Sequence, residues 1–80
     1  MKTIADIEND LVGLYCETYK QVVIKGREHE KYPRDEEIQR AYWACVSHCE
    51  LYESLLERWF AYTSSRLSDV ALVSLNREGL

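Results

Sequence analysis

Eighty residues accommodate one domain and leave no room for a second, since folded domains run from about 50 to 250 residues. An apolar fraction of 46% beside 30% charged residues excludes a disordered tail, and a net charge of −4 argues against nucleic acid, whose phosphates demand concentrated Lys and Arg. The longest stretch free of Asp, Glu, Lys and Arg, Ala41 to Cys49, is far short of the ~20 apolar residues that cross a bilayer, so no membrane span is expected.

From the N-terminus, Thr3 followed three residues later by Asp6 reads as a helix start, with a hydroxyl to accept from an early amide and a carboxylate in the positive first turn. Ile4, Ile7, Leu11, Leu14, Tyr15, Thr18 and Val22 then recur at steps of three and four. Lys20, Lys25 and Arg27 gather near Gly26, so helix 1 is expected over about residues 3–25. Gly13 inside it costs roughly 1 kcal/mol against alanine and marks an expected close approach by another helix. The charged stretch from Gly26 to Tyr32, ending at Pro33, reads as a turn with a solvated His29.

Asp35, Glu36 and Glu37 place carboxylates at the start of a second helix. No Gly or Pro occurs from Arg34 to Asn76, and Ile38, Ala41, Tyr42, Cys45, Cys49, Tyr52, Leu56 and Trp59 keep the helical rhythm. Helix 2 is expected over about residues 35–64. Ser68 and Asp69 offer a further cap, giving a short C-terminal helix over about 68–76. Residues 70–75 alternate well enough to be a strand, but a lone strand has no mate in a helical chain. The fold class is all-α: an antiparallel helical hairpin plus a short third helix, assembled as a dimeric helical bundle.

The dimer follows from excess surface. The apolar positions of helix 2 span an arc of about 200°, whereas facing one core takes little more than about 100°. At ~30 residues helix 2 would measure about 45 Å against about 33 Å for helix 1, leaving an overhang. Two chains pairing through helix 2 and the tail would cover it, with Trp59, Phe60 and Tyr62 as the binding aromatics. Trp43 points away from the main arc, beside an acidic line of Glu50, Glu53 and Glu57 that would suit a basic patch on another protein.

Catalytic and cofactor motifs are not found. Cys45, His48 and Cys49 lie within one helical turn, and Cys16 could reach them from helix 1, which makes a zinc module the alternative reading. Thiols on helix faces are equally good small core residues, so no metal and no cofactor is assigned, and His48 is expected partly buried. Three cysteines are an odd count, and no apolar signal core precedes Asp6, so free thiols in the cytoplasm are expected. Both glycine-rich nucleotide signatures and any Glu-x-x-His repeat are missing. The layout of long helix, proline turn and long helix is similar to that of the all-helical chorismate mutases, which clamp a dicarboxylate with arginines. Helix 1 carries no arginine between Ile4 and Lys25, so the likeness is one of layout and a small homodimeric enzyme stays the rival class. The functional expectation is a small interaction protein, a regulator, adaptor or inhibitor, that docks an aromatic helix face on another protein and works as a homodimer.

Overall fold

The computed structural model describes residues 1–79, and all regular structure among them is helical. The helices are α1 (Ile4–Lys31), α2 (Glu36–Phe60) and α3 (Ser64–Arg77). Residues 70–75 are therefore helix, as expected, while three boundaries move.

α1 begins where the sequence places it. The Thr3 hydroxyl accepts from the Asp6 amide at 3.2 Å, and the Asp6 carboxylate accepts from the Thr3 amide at 3.0 Å. Two orphan donors are thus satisfied reciprocally. The expected end at Lys25 is wrong, because Gly26 does not stop the helix and the supposed turn continues it to Lys31. One glycine costs about 1 kcal/mol in a helix interior, which local contacts here offset. Lys25 pairs with Glu28 at 3.4 Å, and His29 stacks on the Tyr42 ring at 5.6 Å, so it is half-buried rather than solvated. A Cβ on Gly26 would stand 3.4 Å from that same tyrosine ring, so the close approach expected at Gly13 occurs here instead. The stop comes from Pro33, which disfavours helical geometry at the preceding residue; Tyr32 leaves the helix at φ −128°, ψ 65°.

At the head of α2 the Asp35 carboxylate accepts from the amides of Glu37 and Ile38 at 3.0 and 3.2 Å. The helix closes at Phe60, four residues before the expected end, as Ala61 turns left-handed at φ 56°. The Ala61 amide still bonds the Leu56 carbonyl, and the Tyr62 amide reaches the same carbonyl at 3.2 Å, which satisfies the donors just past the helix end. Ser64 and Ser65 open the first turn of α3, capped by the Thr63 hydroxyl on the Arg66 amide at 3.2 Å.

Tyr62 explains the early break. Its side chain is buried, its hydroxyl donates to Glu8 at 2.9 Å, and the Arg66 guanidinium lies 4.1 Å over its ring. A continuing helix would give up these contacts.

The core is Tyr15 from α1, Cys49 and Leu56 from α2, Tyr62 from the turn, and Leu67 and Ala71 from α3. α1 packs along α2, with His29 against Tyr42 at one end and Glu8 against Tyr62 at the other, while α3 lies chiefly on α1. At 28 residues α1 is the longest element and α2 has 25, reversing the expected overhang. The described residues span 44 × 25 × 23 Å, the long dimension being that of α1 at about 1.5 Å per residue.

Candidate docking face

The face of the α1 and α2 pair not shielded by α3 is apolar and open. Ile4, Ile7 and Leu11 of α1 and Leu55, Trp59 and Phe60 of α2 line a groove of about 460 Å³. Its walls are far from covered, Ile4 being 76% and Trp59 71% exposed. The same rows continue along both helices: Ile7, Leu11 and Leu14 step by four and three, and Leu51, Leu55 and Trp59 step by four, which keeps each set on one side. Leu14 and Leu51, at 46% and 54% exposed, extend the patch beyond the groove.

The two rims of this face differ in charge. Asp10 falls between Ile7 and Leu14 at helical spacing, whereas Glu17, three after Leu14, is paired with Lys20 at 3.4 Å and lines the groove toward α3, so Asp10 is the carboxylate of the α1 edge. On the α2 edge Arg58 follows Leu55 by three and is exposed. Asp10 holds Lys2 at 2.6 Å with over half its side chain still in solvent, whereas Arg58 forms no ion pair among the described residues.

Of the aromatics expected to bind, only Trp59 stands fully on this face. Phe60 is half-buried, lining the groove on one side and packing on the core with the other. Tyr62 does not belong to it, being 9% exposed in the core. The tail is likewise engaged within the chain through Leu67, Ala71 and Leu75, while Leu72 and Val73 stay half-exposed. The residues that replace them, Ile4, Ile7, Leu11, Leu14, Leu51 and Leu55, carry a helical apolar rhythm in sequence.

Trp43 is 55% exposed and meets the Tyr42 ring edge-on at 5.2 Å. Glu50 and Glu57 are exposed, but Glu53 is half-buried, so the acidic line is not a single solvated row. The Glu53 carboxyl is raised above the usual carboxylate range by burial first and then by Glu57 and Glu50. Trp43 and Trp59 are not neighbours, and the expected site divides into two surfaces.

The thiols do not converge with histidine. Cys49 is buried, Cys16 and Cys45 are half-buried, and His48 is exposed rather than partly buried. Among the described residues no group of three metal-ligating side chains forms. Burial, with Glu53 and Glu50 behind it, pushes the Cys49 thiol up to about 11, and burial also raises Cys16, whose hydrogen bond with Ser74 acts the other way. Thiols held protonated at neutral pH are poor nucleophiles and poor ligands. A second groove of about 560 Å³ runs between α1 and α3, with Gly13 in its wall. Its lining mixes Val12, Val70 and Val73 with Glu17, Asp69 and Arg77. No helix among the described residues is long and apolar enough to cross a membrane.

No family model, no curated protein and no solved structure matches the chain.

Proposed function

We propose that this chain is a small protein-interaction module, a regulator, adaptor or inhibitor, that acts by docking the open face of an antiparallel α1 and α2 hairpin onto an apolar helix surface of a protein. The observation that carries this reading is the uncovered row pair Ile7, Leu11, Leu14 and Leu51, Leu55, Trp59, apolar at its centre and charged only at its edges. A helix laid between the two rows would bury side chains worth ~1.5 to 3 kcal/mol each, enough for a few of them to hold a complex. Trp59 is the expected anchor, since a tryptophan buries ~150 to 250 Å². The self-association expected from the excess apolar surface draws on the same face. The reading places the protein in the cytoplasm, a reducing compartment in which Cys16, Cys45 and Cys49 stay free thiols.

Site-specific photo-crosslinking in the native cell tests it. A photoreactive phenylalanine at Leu51 should trap one protein species, identified by mass spectrometry, and adding Trp59→Asp should abolish the adduct. The same probe at Trp43 should not yield that species. Equal trapping from both positions would refute the assignment of the face.

A further inference from the structure

We draw no further inference here: the strongest candidate, the groove between α1 and α3 lined by Val12, Val70 and Val73 together with Glu17, Asp69 and Arg77, carries none, because its charges oppose one another and nothing in the structure shows what covers it.

Discussion

Leu56 is fully buried, in a cluster with Tyr15, Cys49, Tyr62, Leu67 and Ala71. Leu56→Ala should cost about 2 to 5 kcal/mol, measured by urea unfolding, because the core around it is too small to close over the gap. Cys49 gives the core a pH signature. Its native thiol holds a proton up to about 11, against 9.0 ordinarily, so the unfolded chain ionises first as the solution becomes alkaline. The resulting stabilisation is fully present below pH 9 and is lost as pH rises through about 11, and the raised hydroxyls of Tyr15 and Tyr62 act in the same direction. Cys49→Ala should flatten the fall in melting temperature over that interval; an unchanged slope would assign the fall to Cys16 and the tyrosines. Part of this was legible beforehand: Tyr15, Cys49 and Leu56 fall on apolar rhythms. Tyr62 was not, because a tyrosine at helical spacing after Trp59 looks like one more exposed aromatic. Its burial depends on Glu8, 54 positions away, and on Arg66 above the ring.

At the scale of the helices, the caps were readable and the ends were not. Thr3 with Asp6, and Asp35 with the amides that follow it, are short-range chemistry that a sequence displays directly. Gly26 misleads because a lone glycine resembles a stop, yet it lies under Tyr42 and the helix runs on until the proline turn ends it. Ala61 misleads in the opposite sense, an alanine that ends a helix in a conformation usually left to glycine. Two substitutions follow from these backbones. Ala61→Gly removes a left-handed penalty of about 1 kcal/mol or more, partly offset by the greater freedom of glycine in the unfolded chain, and should raise stability by a few tenths of a kcal/mol to about 1. Gly13→Ala should stabilise by about 1 kcal/mol, since a Cβ there meets nothing within 4 Å and alanine is the better helix former. A loss of stability in calorimetry would mean that another helix does approach Gly13.

On the scale of the whole molecule, the amount of apolar surface was readable and its location was not. The excess arc on helix 2 is real in Trp59, Leu51 and the half-covered Phe60, but the third helix absorbs Leu67, Ala71 and Leu75 and lies mainly on α1. What remains open is a face shared by two helices, half of it supplied by Ile4, Ile7 and Leu14, which periodicity alone assigns to the core. A domain of this size buries a modest share of its surface by itself, and covering that face is the largest gain left to it. The most direct measurement is the fluorescence of Trp59 in a Trp43→Phe chain, which leaves the face intact and a single indole to report on it. As concentration rises from nanomolar to high micromolar, the emission should move to shorter wavelength and its quenching by iodide should fall, together with a doubling of mass. Emission of a water-exposed indole, equally quenched across the whole range, would contradict the account.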